Sequence, residues 1–337
     1  MEQDERLDEA AELLEERAAR LLKGLPPAVK GQVQEIRLRL GQALAVYTGR
    51  RHLFLGERGA YCQPGSSCLT VDRRMLEESY RRLCGYSVHS HSDQLAQGYV
   101  TARGGHRAGI AATAVTEGEQ VVAQREISSI CLRVARQFPG AADPLMGEVF
   151  SKGPRGVLLV GPPSSGKTTL LRDVARQFSC RGIKTLVVDE RGELAASWEG
   201  IPQNDLGPCC DVLTGWPKAQ GMLAGIRALS PQVVICDEIG GGEEAQAVAQ
   251  CLGCGVQVVA AIHGESLEEL WTRPQSRRLL ATGAFSKGVL LAGKGRPGEI
   301  LTIKDVTNDE TSGNRHDRGL HGGPWPAAGL PDVRPCG

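Results

Sequence analysis

Charge of one sign, aromatic rings and long apolar runs are what this sequence lacks. Its 39 lysines and arginines balance 39 aspartates and glutamates. No global field therefore draws the chain to nucleic acid or to an anionic membrane, and such a partner has to be met by a local patch. Aromatic residues fill 4% of 337 positions, too few for the stacking platforms that bind single strands. No window approaches the roughly 18 uncharged apolar residues of a bilayer span, so any membrane connection is expected to run through a partner. The first thirty residues hold no basic stretch followed by an apolar core of signal-peptide type, which makes a cytoplasmic location the expectation. Cysteine is plentiful, but the eleven are odd in number and irregular in spacing, which favours reduced thiols over a disulfide framework. Cys251 and Cys254 have no second correctly spaced pair for zinc, and are expected to pack as small hydrophobes on one helical face.

What is present is 41% apolar residues and 43 glycines, enough for a loop-rich α/β protein of two domains, since single cores rarely exceed roughly 250 residues. Leu7, Leu14 and Leu21, with Ala11 and Ala18 between them, oppose Glu5, Glu9, Glu12, Glu16 and Arg20. This predicts one amphipathic helix whose stripe packs on its own domain or, alternatively, on a neighbouring subunit. Residues 35–40 alternate with period two and 43–47 follow a Gly-Gln turn, a predicted hairpin; 73–84 reads as helix, and 99–102 with 108–115 as strand, turn and strand. Residues 1–138 are thus expected to form a small mixed α/β domain. Residues 139–155, rich in Gly and Pro, read as a linker with a short helical piece and a possible hinge. The runs 156–160, 184–188, 233–236 and 256–262 are apolar without alternation and separated by helix-compatible stretches. They predict a parallel sheet covered on both faces over 156–305. The tail 306–337, rich in Gly, Pro, Asp and Arg, is expected to be disordered.

Between the first apolar run and a helical segment lie Gly161, Pro162, Pro163, Ser164, Ser165, Gly166, Lys167 and Thr168, which fit G-x-x-x-x-G-K-[ST]. In such a loop the glycines let backbone N–H groups turn toward phosphates, and the helix N-terminus adds its positive end. Lys167 would reach the β and γ phosphates, Thr168 would offer a hydroxyl to magnesium, and Thr169 continues the first helical turn. The run 233–236 ends in Asp237 and Glu238, the form of a Walker B segment, with Asp237 for the metal and Glu238 for the attacking water. The run 184–188 delivers Asp189, Glu190 and Glu193 to the same edge; one of them helps place water or metal, or the loop is simply ion-paired with Arg191. His263, ending a further run, is either a γ-phosphate sensor or a structural histidine. His106, Arg107, Arg133 and Arg136 are either charged surface or a source of arginine for nucleotide bound next door.

The order P-loop, Asp189-Glu190, Asp237-Glu238 and residues 261–264 resembles the Walker A, Asp, Walker B and His boxes of the type II and type IV secretion ATPases. More narrowly, residues 35–41 (EIRLRLG), 98–101 (GYVT), 104–107 (GGHR), 189–193 (DERGE), 227–231 (RALSP) and 237–240 (DEIG) resemble the stage III sporulation protein AA family over residues 5–305. The resemblance implies a RecA-like core that assembles with itself as a ring, a hexamer, on the mother-cell side of an endospore former. It implies ATP and Mg2+ as ligands, and a motor energising a secretion-like channel to the forespore through membrane proteins. Glu190 and His263 would tune hydrolysis, and Arg227 would contact phosphate from its own or an adjacent subunit, or else sit on a helix surface. Two rivals are a nucleic-acid-associated RecA-like ATPase, disfavoured by the neutral charge, and a nucleotide-gated scaffold with little turnover.

Overall fold

The computed structural model describes residues 3–61, 63–65 and 67–307. The chain divides into two compact units: residues 1–137 with Ala196–Asn204, and Phe138–Ala195 with the chain from Asp205 onward.

The first unit opens on α1 (Gln3–Glu12), α2 (Glu16–Lys23) and α3 (Pro27–Lys30). The single helix expected from the leucine repeat is thus two. Leu13 and Leu14 donate to Ala10 and Ala11 in tight turn bonds. Glu15 then turns extended (φ −61°, ψ 148°) and caps the Arg17 N–H, restarting the helix. The break shifts the phase, so Leu22 rather than Leu21 is fully buried with Leu7, Ala11, Leu14 and Ala18. These residues pack on Ile36, Leu38, Met75 and Leu76 of the unit's own core. Glu9, expected on the solvent face, instead lies beside buried Arg6 and His106.

The strands β1 (Glu35–Arg39), β2 (Ala45–Tyr47), β3 (His52–Gly56) and β4 (Gly59–Tyr61) are followed by α4 (Arg73–Leu83), α5 (Ser92–Ala96), β5 (Tyr99–Thr101), β6 (Arg107–Glu117) and β7 (Gln120–Arg133). Among the described residues they form one seven-stranded sheet, order β4-β3-β2-β1-β7-β6-β5. Every pairing is antiparallel, so the parallel arrangement is confined to the second unit. Alternation in β1 sends Ile36 and Leu38 inward. The β6–β7 ribbon outruns its neighbours, since β5 pairs only with Arg107–Gly109 and β1 only with Ser129–Arg133. Its far half exposes Val115, Val121 and Val122.

Residues Ala196–Asn204 belong to this unit although they follow the second unit's second strand. Trp198 and Ile201 bond to each other's backbones around Glu199 (φ 48°) and Gly200 (φ 80°), the positive-φ pair of a tight hairpin turn. Trp198 stacks on His91 at 4.8 Å, and Gln203 accepts the Gly104 N–H at 2.7 Å.

The second unit runs α6 (Asp143–Glu148), β8 (Val157–Gly161), α7 (Lys167–Cys180), β9 (Thr185–Asp189), β10 (Cys210–Thr214), α8 (Lys218–Ala228), β11 (Val233–Cys236), α9 (Gly242–Gly253), β12 (Gln257–His263), α10 (Glu269–Thr272), α11 (Pro274–Ala281), β13 (Lys287–Leu291) and β14 (Ile300–Asp305). The Gly- and Pro-rich stretch read as a linker carries α6, and its Leu145, Met146 and Phe150 join this unit's core. Among the described residues a second seven-stranded sheet has the order β10-β9-β11-β12-β8-β13-β14. It is parallel from β10 to β13 and closes with an antiparallel edge strand, β14. Strands β8, β9 and β11 are buried at every position, because one helical layer covers each face of the sheet. Cys251 is buried in α9, but Cys254 sits at the helix end and is exposed, so the two do not share a packed face. The tail expected from residue 306 lies outside the described residues beyond Thr307, and Val306 itself is buried. Among the described residues no helix is long and apolar enough to cross a membrane.

Candidate functional site

The site collects at the carboxyl ends of β8, β9, β11 and β12, where a doubly wound sheet binds ligands. The loop after β8 needs its glycines. A side chain on Gly161 would come within 2.5 Å of Ser165 Oγ, and Gly166 (φ 93°) would drive one to 2.6 Å from the Gly298 backbone N. The Gly298 N–H holds the loop by donating to Ser165 O at 2.8 Å. Pro162, Pro163 and Ser164 form the outward curve, with Ser164 at φ 61°. Gly166 then starts α7, whose first turn is Lys167, Thr168 and Thr169 with no acidic residue. Such a helix start favours an anion.

Lys167 is 5% exposed. Its ammonium donates to Gly161 O (2.8 Å) and Pro162 O (3.0 Å) and lies 3.3 Å from His263 Nδ1. Burial pulls its pKa down, against the pull of the Asp237 and Glu238 carboxylates. Thr168 donates its hydroxyl to Asp237 Oδ2 at 2.5 Å. Burial pushes the Asp237 carboxyl up, with Glu238 adding and the Thr168 hydrogen bond opposing. Asp237 Oδ1 is buried and has no hydrogen-bond partner. An orphaned carboxylate oxygen beside a threonine hydroxyl is a hard-oxygen donor set that suits magnesium.

Glu238 follows at φ 47°. Its Oε1 meets His263 Nε2 at 2.7 Å and its Oε2 meets the Arg191 guanidinium at 2.9 Å. His263 is brought there by register, since β12 pairs with β8 and sets His263 opposite Gly161. On β9, Asp189 is 3% exposed and accepts the Glu193 and Ala195 N–H groups, which folds its own loop. Glu190 pairs with Lys218 at 2.8 Å.

The structure therefore brings the P-loop, Asp237, Glu238, His263, Asp189 and Glu190 to one edge. It does not bring Arg227, which is exposed near the end of α8 and more than two turns beyond Lys218, about 14 Å along the axis. Arg191 pairs across the sheet edge rather than with the carboxylates of its own loop. In the first unit His106 is buried, Arg107 covers the Tyr99 ring at 3.8 Å and Arg136 donates to Lys30 O and Val33 O. Lys218 escaped the sequence reading. The signal was Pro217, which starts a helix directly after a strand and so sets the next residue at the carboxyl edge.

A parallel sheet of this order with a phosphate-type loop after β8 is a RecA-like P-loop fold. The crystal structure of the pilus retraction motor PilT with bound ADP superposes with a TM-score of 0.51 at 16% identity, covering 77% of this chain and 74% of that one. With this fold, the chain belongs to the family described as sporulation stage III, protein AA, which it matches over residues 4–310. It is 36% identical over 304 residues to stage III sporulation protein AA of Bacillus subtilis (strain 168), covering 89% of this chain and 95% of that protein. It is also 32% identical over 174 residues to an uncharacterized ycf45 protein of Porphyra purpurea, covering 51% of this chain and 30% of that one.

Proposed function

We propose that the chain is a magnesium-dependent ATPase that assembles as a ring, a hexamer, and drives a secretion-like channel between mother cell and forespore through membrane partners. The observation that carries it is the contact of Thr168 with Asp237, whose second oxygen is buried without a partner, one residue before Glu238 on the same strand end. Residues 161–169 would hold the phosphates, Lys167 facing the β and γ groups. Thr168 and Asp237 would hold Mg2+, which neutralises charge on the phosphates. Glu238 accepts the proton of the attacking water as the bond from the terminal phosphorus to the bridging oxygen breaks and ADP leaves with the electron pair. Glu190 and His263 fix the surroundings of that step. Arg227, away from its own site, would serve phosphate only across a subunit boundary.

The test is hydrolysis of ATP by purified protein beside Lys167→Ala and Glu238→Gln, with mass in solution recorded with and without nucleotide. The expected result is Mg2+-dependent turnover lost in both variants, binding retained in Glu238→Gln, and a ring favoured by ATP. A second reading, a nucleotide-gated scaffold, draws support from the engagement of both Glu238 oxygens; binding and assembly without turnover under every condition would establish it. Turnover stimulated by single-stranded DNA would instead favour a nucleic-acid motor.

A further inference from the structure

The side chains that meet at Glu238 are each engaged by another group of the site. Lys167 is spent on two carbonyls of its own loop and on His263, and His263 is spent on Glu238. Arg191 takes the remaining Glu238 oxygen. With each oxygen held by a side chain, the carboxylate keeps a lone pair on each oxygen but is not free to turn one onto water. The two contacts differ in kind. His263 is fixed by the β12 register, whereas Arg191 sits on a loop and its side chain is 63% exposed.

The loop around Arg191 is anchored on both sides of it. Asp189 binds the N–H groups of Glu193 and Ala195, and Glu190 is held by Lys218, itself only 9% exposed at its side chain. The residue between these anchors is turned toward β11, the strand next to β9 in the sheet. Across that ladder Val188 faces Cys236, so residues 189–190 and 237–238 leave the sheet side by side and Arg191 follows one residue on. The left-handed backbone of Glu238 fixes its carboxylate at this edge.

We infer that Arg191 is a positioning residue that holds Glu238 in a resting pose, and that its release frees the carboxylate oxygen that takes the water proton. This rests on the proposed ATPase reading. An exposed ion pair is weak and screened by salt, so it opens readily when other contacts at the edge change. The predicted control is correspondingly modest, about two- to fivefold.

The experiment compares steady-state ATP hydrolysis by the full chain, wild type against Arg191→Ala, Arg191→Lys and Arg191→Ala/Glu238→Gln, in low and high salt. Binding of a fluorescent ATP analogue is measured in parallel. The expected result is kcat about two- to fivefold higher in Arg191→Ala with KM unchanged, a value near wild type in Arg191→Lys, and no turnover in the double variant. Salt should narrow the gap between wild type and Arg191→Ala. Wild-type turnover with kcat lowered or unchanged in Arg191→Ala overturns the inference and leaves the ATPase reading standing. Nucleotide bound but not hydrolysed by wild type and Arg191→Ala alike overturns both.

Discussion

The two sheets have the same number of strands and opposite ways of being buried. In the first, β1 alternates and only one row of its side chains is inward, and the β6–β7 ribbon leaves its far half exposed. In the second, β8, β9 and β11 are buried at every residue. The difference shows where a rigid edge for the candidate site comes from. A strand packed on both faces cannot slide or tilt without losing contacts on each, so the loops at its carboxyl end inherit fixed positions. The antiparallel sheet is exposed along the far half of its β6–β7 ribbon and can tolerate change there.

Substitutions that treat the sheets differently test this contrast. The largest effect is expected from Leu159→Ala in β8, fully buried, at about 3 kcal/mol in denaturant unfolding. Val121→Ala on the ribbon, 37% exposed, should stay within about 0.5 kcal/mol; equal losses would end the comparison. Next comes Gly166→Ala, which meets the Gly298 backbone at 2.6 Å and should weaken binding of an ATP analogue more than about tenfold, roughly 1.4 kcal/mol. Gly118→Ala at the ribbon turn (φ 63°) meets nothing within 4 Å, and should leave that binding unchanged while costing about 1 kcal/mol of stability. Asp72→Ala removes the cap whose carboxylate accepts the Met75 N–H at 2.7 Å, a loss of about 1 kcal/mol visible in the thermal transition.

The smallest effect near neutrality is a pH dependence in the first unit that grows with acid. Burial holds the His106 imidazole below its ordinary value, so the fold keeps it neutral while the unfolded chain takes up a proton. Its contribution is complete above about pH 6.5, the unfolded value, and declines as pH falls below that. The Glu9 carboxyl is held low mainly by the neighbouring imidazole, with Arg6 adding, so acid loosens the same cluster a second time at lower pH. Unfolding midpoints measured across this range should slope less in His106→Asn, whose side-chain oxygen can accept the Ala135 N–H that His106 Nδ1 now takes at 3.0 Å. An unchanged slope would remove His106 from the account.

The same contrast decides how much was legible in the sequence. Uninterrupted apolar runs announce strands buried on both faces, which is why β8, β9, β11 and β12 and the residues at their ends could be read in order. The edges β10 and β14 are half-exposed, and the long β7 is mostly exposed and polar, so no pattern marked them. Period-seven leucines cannot show that the helix breaks at residues 13–15, because the break depends on Glu15 binding the chain at Arg17 and donating to Ser79, 64 residues away. For the same reason the partners of charged groups were hidden. Arg191 reaches Glu238 and Lys218 reaches Glu190 only after β9 and β11 lie side by side.

The boundary between the two units is not a point on the chain. Cutting after residue 137 would yield a first unit without Trp198 and Gln203, leaving the His91 ring and the Gly104 N–H without the partners that hold them. A fragment that preserves this fold has to carry the nine residues Ala196–Asn204, supplied in trans or grafted through a linker. Swapping one unit between relatives has to exchange two pieces of sequence instead of one.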